Sequence, residues 1–181
     1  NGKPLKSINQ YYNKKISEMR SELKKRRNAD WSKEMQRFTI KRNNKVDDYI
    51  QKATKMVINF CKENNIDTLV CGYNSGWKQE SDMNKKTNQK FISIPHESIV
   101  YRLRYKCENE GIVFKTPEES FTSGTSFLDE EEPIKENYDK SRRVYRGLFV
   151  SNNGTKINAD VNGSYQITKK AFPNAFSNGI V

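Results

Sequence analysis

The sequence predicts an α/β chain in which a long helical hairpin leads into strand–helix–strand order, and three observations predict it. Apolar residues recur every three or four positions from Ile8 to Phe60. Short apolar runs at 66–72 and 112–115 then bracket one further helical stretch. Finally, Asn152-Asn153-Gly154 separates two short alternating segments, the pattern of a hairpin.

Taken in order, Asn1-Gly2 has the chemistry of a tight hairpin turn, with Lys3-Pro4-Leu5-Lys6 as the start of a returning strand. Ser7-Ile8-Asn9-Gln10 has capping-box spacing. After it, Ile8, Tyr12, Ile16, Met19 and Leu23 form one stripe of an amphipathic helix. Lys24-Lys25-Arg26-Arg27 falls in its last turn, where positive charge suits the helix dipole. A second helix runs from about Asp30 to Asn64-Asn65, with Val46, Tyr49, Ile50, Ala53, Met56, Val57 and Phe60 inward. The period then changes, and 66–72 reads as a buried strand. Past a polar loop at 73–90, Pro95 opens a helix that Gly111 stops, with Ile99, Val100, Leu103 and Cys107 inward. A second strand at 112–115 completes a βαβ unit, which argues for a parallel pair. Val144 to Ser151 and Thr155 to Ala159 form the hairpin, and Asp160 begins a short helix that Pro173 ends.

Composition narrows the function. The length of 181 residues fits one domain, and the formal charge is +11. No apolar run exceeds three residues, so the sequence offers neither a membrane span nor a secretory signal. Three scattered cysteines (Cys61, Cys71, Cys107) and one histidine, His96, build neither a disulfide framework nor a zinc ribbon. A soluble, cytoplasmic chain with a polyanionic partner is expected. The charge is compartmentalised: residues 1–64 carry 17 Lys+Arg against 7 Asp+Glu, and 65–181 carry 16 against 15. Residues 116–139 alone hold eight acids and one lysine, either a cation-holding acidic segment or a disordered acidic loop.

Few constellations carry chemistry. There is no phosphate-cradling glycine loop and no nucleophile elbow, and His96 fits a structural place in its helix's first turn. Two-metal phosphodiester chemistry needs convergent carboxylates. Glu118 and Glu119 follow the carboxyl end of the second strand, where open α/β sheets bind ligands. Asp160 stands at a helix start, which an ordinary N-cap also explains.

Asp160 followed by Asn162-Gly163-Ser164-Tyr165-Gln166-Ile167 resembles the closing D-x-N-x-x-x-N-I motif of the TnpB/OrfB family, with Gln166 in place of the second Asn. Five further stretches fit a divergent branch of that family: 5–14, Gly72-Tyr73-Asn74-Ser75-Gly76-Trp77-Lys78-Gln79, Glu119-Ser120-Phe121-Thr122-Ser123, Arg146-Gly147-Leu148-Phe149 and Ile157-Asn158-Ala159-Asp160. They occur in order and span nearly the whole chain. The family's members are transposon-encoded, RNA-guided DNA nucleases related to type V CRISPR effectors. The resemblance therefore implies an RuvC-like domain on an RNase H-like fold, with three acids holding two Mg²⁺. It divides the chain into 1–64, a hairpin remnant and basic helical hairpin, and 65–181, the later part of the nuclease domain.

Three departures from the family pattern matter. The first-strand Asp would lie upstream of residue 1, so the chain is expected to be N-terminally incomplete and inactive alone. The strand that usually ends in Glu reads Val70-Cys71-Gly72-Tyr73-Asn74. The zinc ribbon is missing, since 120–159 contain no cysteine, and no zinc is expected. In the RNase H strand order, Glu119 starts about 10 Å from the first strand, a gap that a glutamate on a loop could lean across. Glu119 is therefore expected to replace the missing acid, with Glu118 in reserve, and Asp160 to be the last acid; both catalyse and hold metal.

The expected partners are DNA and a guide RNA, with no membrane. Lys14, Lys15, Lys24, Lys25, Arg26, Arg27, Lys41 and Arg42 would line a nucleic-acid channel. Trp77 beside Lys78 would stack on a base, or else anchor in the core, and Arg142, Arg143 and Arg146 would hold the scissile strand. The competing expectations are a catalytically inactive RNA-guided binder and an interaction module built on the helical hairpin.

Overall fold

The computed structural model describes residues 2–74 and 95–177. They form two compact units, 2–66 with 95–110, and 67–74 with 111–177. Among the described residues, no helix is long and apolar enough to cross a membrane.

The first unit is three helices: α1 (Lys3–Arg27), α2 (Lys33–Glu63) and α3 (His96–Asn109). Residues 3–6, expected as a returning strand, are helical, while Asn1 of the expected turn lies outside the described residues. Pro4 lies in the first turn of α1, where a missing N–H costs nothing, and Ser7 is inside the helix rather than at its cap. Asn28 ends α1 in the left-handed region (φ 50°), its N–H bonded back to Lys24. Ser32 caps α2 by accepting from the Met35 N–H at 3.2 Å.

The pairings show an antiparallel hairpin. Tyr12 meets Phe38 and Thr39, and the earlier Leu5 packs with the later Val46 and Ile50. Burying each such aliphatic side chain contributes about 1.5–3 kcal/mol. The seam continues through Thr54, Ile58 and Cys61. Met56, Val57 and Phe60, expected inward, are exposed instead. Steps of four from Val46 lead to Thr54, so a modest polar residue takes the inward position. Its hydroxyl donates to Ile50 O at 2.9 Å and accepts from Lys106 at 2.8 Å, so burial leaves it satisfied. α3 lies alongside α2 through Leu103 and Cys107, with ion pairs Arg102–Asp47 and Lys62–Glu110 at its rim. Past its end, Gly111 adopts φ +70°, the left-handed backbone that favours glycine.

The second unit carries two short sheets and one helix. β1 (Thr68–Val70) and β2 (Val113–Lys115) pair in parallel, Leu69 opposite Phe114, as the sequence order predicts. The pairing runs on past β1, with Cys71 N–H to Lys115 O at 2.9 Å and Tyr73 N–H to Pro117 O at 3.0 Å. β3 (Leu148–Val150) and β4 (Lys156–Asn158) are the predicted antiparallel hairpin, turning through Asn152–Gly154. α4 (Ala159–Ala171) follows directly and contacts β1, β3 and β4, while Phe149 is wholly buried.

Candidate metal centre and nucleic-acid face

Glu119 is placed by the end of the parallel pair. Asn74, four residues beyond β1, accepts the Glu119 N–H at 2.9 Å, and Thr122 bonds the Glu119 carbonyl through its hydroxyl at 2.8 Å. The backbone is thus held on both sides, and the side chain leans over Gly72. A β-carbon at position 72 would lie 2.7 Å from Glu119 Oε2, 2.9 Å from its Cβ and 2.8 Å from Ile167 Cδ1. Any larger residue there would force the Glu119 and Ile167 side chains to shift. The strand end at Gly72 thus leaves room for the Glu119 carboxyl arriving from the next element.

The electrostatics separate the two neighbouring glutamates. Burial, then the charge of Glu118, raises the pKa of Glu119. Glu118 is exposed, and its carboxyl is held below the usual range by the Ser120 hydroxyl and by Lys170. Lys170 lies 3.5 Å from Glu118 and donates to Ser120 O at 2.7 Å.

Asp160 lies in the first turn of α4 but is not its cap. Asn158 is, accepting from the N–H groups of Asp160 and Val161. The Asp160 carboxylate is thereby released from capping and stands exposed, 3.4 Å from Arg143 Nη2. Asp160 and Ile167 are seven residues apart on one helix face, about 10 Å along the axis. Glu119 meets Ile167 of that helix beside Gly72. Among the described residues, no group of three His, Cys, Asp or Glu could hold a metal ion. Glu119 and Asp160 do supply the hard oxygen donors that Mg²⁺ takes, one or two carboxylates completed by water and phosphate.

The basic residues divide. Lys14, Lys24, Lys25, Arg26, Arg27 and Lys41 are exposed on α1 and α2, while Lys15 is paired with Glu18 at 2.8 Å. Arg42 lies over the Tyr12 ring at 4.4 Å. Arg146 is exposed. Arg142 is not free: Glu131 holds it at 2.7 Å, both side chains mostly buried. Trp77 and Lys78 lie outside the described residues.

The acidic segment is ordered around α4. Glu131 also accepts the Ser126 N–H at 2.8 Å. Asn162 and Gln166, both wholly buried, clip the segment to α4: Asn162 accepts from Phe127 N and donates to Thr125 O, and Gln166 donates to Glu131 O. Sequence reasoning missed this brace. Its signal was two amides four residues apart on one helix face, facing a run of acids.

Comparison with known proteins follows the same order along the chain. The OrfB_IS605 family model, described as a probable transposase, matches residues 1–78, and the Cas12f1-like TNB domain matches 96–167. A chain from the cryo-EM structure of a Cas12f1–sgRNA–target DNA complex superposes with a TM-score of 0.63 at 19% identity. The match covers 90% of this chain and 42% of that one, so the protein spans under half of that relative's length. No curated protein matches. At 19% identity the superposition speaks for a shared mixed α/β fold. The two family models, in order along the chain, support a TnpB/OrfB-family protein.

Proposed function

We propose that this chain carries the two later acids of an RuvC-like nuclease domain on an RNase H-like fold, within an RNA-guided, Mg²⁺-dependent DNA endonuclease associated with a transposon. The observation that carries the reading is the Glu119 carboxylate lying against Gly72, at the strand end where the family's usual acid is absent. When bound, Mg²⁺ would activate the attacking water and stabilise the leaving oxygen. Glu119 and Asp160 would hold it. The Glu119 backbone is held by Asn74 and Thr122, and the exposed Asp160 carboxylate, beside Arg143, would offer its oxygens to the metal. Arg143 and Arg146 would then be available to a strand phosphate. Guide pairing would supply sequence specificity, and the cations of α1 and α2 would hold the nucleic-acid backbone.

The test is Mg²⁺-dependent cleavage of a guide-matched DNA by the protein assembled with its RNA. Glu119→Gln is expected to abolish cleavage and leave nucleic-acid binding intact. Cleavage retained by that variant removes Glu119 from the site. A second reading, a catalytically inactive RNA-guided binder, is favoured by the lack of an acid across residues 70–74. Guide-dependent binding without any cleavage by the unsubstituted protein would establish it.

A further inference from the structure

The helical hairpin carries a recess that the proposed cleavage chemistry does not use. Tyr11 and Tyr12 of α1, with Phe38, Lys41, Arg42 and Lys45 of α2, line a cavity of about 130 Å³. Tyr12 is already fixed. It stacks on Phe38 at 5.7 Å and 13°, lies under the Arg42 guanidinium, and shares its hydroxyl with Thr39 at 2.9 Å. Tyr11 is different: it is 57% exposed and meets Phe38 only at a 60° tilt, 6.0 Å between ring centres. Lys41 and Lys45 are exposed, and among the described residues neither has an acidic partner. The Arg42 Nε is buried with no hydrogen-bond partner among the described residues, a donor that lacks an acceptor.

An open aromatic face ringed by three cations suits one kind of ligand. We propose that this recess is a stacking site for an unpaired nucleotide of a single nucleic-acid strand. Its base lies on Tyr11, and the flanking phosphates meet Lys41, Lys45 and Arg42. Every base offers a π-face, so such a platform accepts any sequence, whereas a duplex keeps its base faces stacked and out of reach. An acidic peptide would use the cations but leave the exposed ring without a partner. The proposal rests on the reading that this chain handles nucleic acid.

The test uses the 181-residue chain and short oligouridylate and oligothymidylate probes, each carrying one 2-aminopurine, followed by anisotropy and by quenching of the purine. Tyr11→Ala is expected to weaken single-strand binding about 5- to 100-fold and to relieve the quenching. Tyr11→Phe should keep both, which excludes loss of folding or of the hydroxyl as the cause. Lys41→Gln should weaken binding and flatten its salt dependence by about one unit of log–log slope. The tighter of the two probes identifies the strand that occupies the site. Unchanged binding by Tyr11→Ala overturns the stacking site alone, as does an equal loss on a duplex of the same composition. No binding of either probe by the unsubstituted chain at low salt overturns the nucleic-acid reading with it.

Discussion

Glu119 and Gly72 form one steric unit, because the space a β-carbon would fill at 72 is taken by the glutamate carboxylate. The arrangement also has a protonation cost. Burial, and then Glu118, raises the Glu119 pKa above that of the unfolded chain, so the folded state binds that proton more tightly. The associated stability is fully present below the unfolded value, about 4.3 for Glu, and is lost as pH rises through the folded one. At neutral pH the ionised Glu119 therefore costs stability. Glu119→Gln is expected to melt at a higher temperature than the unsubstituted chain at pH 7, and the difference should vanish below about pH 4. Melting curves at the two pH values check this, and an equal difference at both would assign the effect to packing.

Among the elements, the helices were the most legible and the loops the least. The stripe of Ile8, Tyr12 and Ile16 and the Asn-Asn-Gly turn are local patterns with few alternatives. The seam of α2 was misread where hydrophobicity and geometry diverge: Met56 and Phe60 are the stronger apolar residues, yet Thr54 and Cys61 stand inward. Pro4 was misread because a proline after Asn-Gly fits a hairpin as well as a helix's first turn. The place of Glu119 just past the second strand is legible from the order of a parallel pair, whereas its contact with Gly72 joins residues 47 apart in sequence. The acidic segment is the clearest case, since its order depends on long-range partners that composition does not reveal. Glu131 joins Arg142, Ser126 and Asn152, while Gln166 holds its carbonyl. Removing one partner of a mostly buried ion pair leaves the other uncompensated. Arg142→Met is accordingly expected to destabilise the second unit by about 1–3 kcal/mol. In chemical denaturation, a coupling energy below about 0.5 kcal/mol in the Arg142→Met, Glu131→Gln cycle would show that the pair does not support this segment.

For the whole molecule, charge is the property that composition announced and the fold arranges. Of the formal +11, residues 1–64 account for +10, and Lys24, Lys25, Arg26 and Arg27 occupy consecutive exposed positions at the end of α1. Four cations in one helical turn repel each other, and a helix dipole offsets only part of that, about 0.3–1 kcal/mol per charge. A phosphate backbone would offset it more fully, and each neutralised phosphate releases bound counterion. That gives the cluster a signature separate from catalysis. Replacing all four residues by Gln is expected to weaken RNA or DNA binding and reduce the magnitude of the log–log salt slope by up to about four units. The quadruple variant should keep the melting behaviour of the second unit, because the substituted side chains belong to α1. A salt titration at several ionic strengths reads the slope directly. An unchanged slope would remove the end of α1 from the proposed nucleic-acid face, leaving Lys14, Lys41 and the tyrosine recess as its proposed contacts.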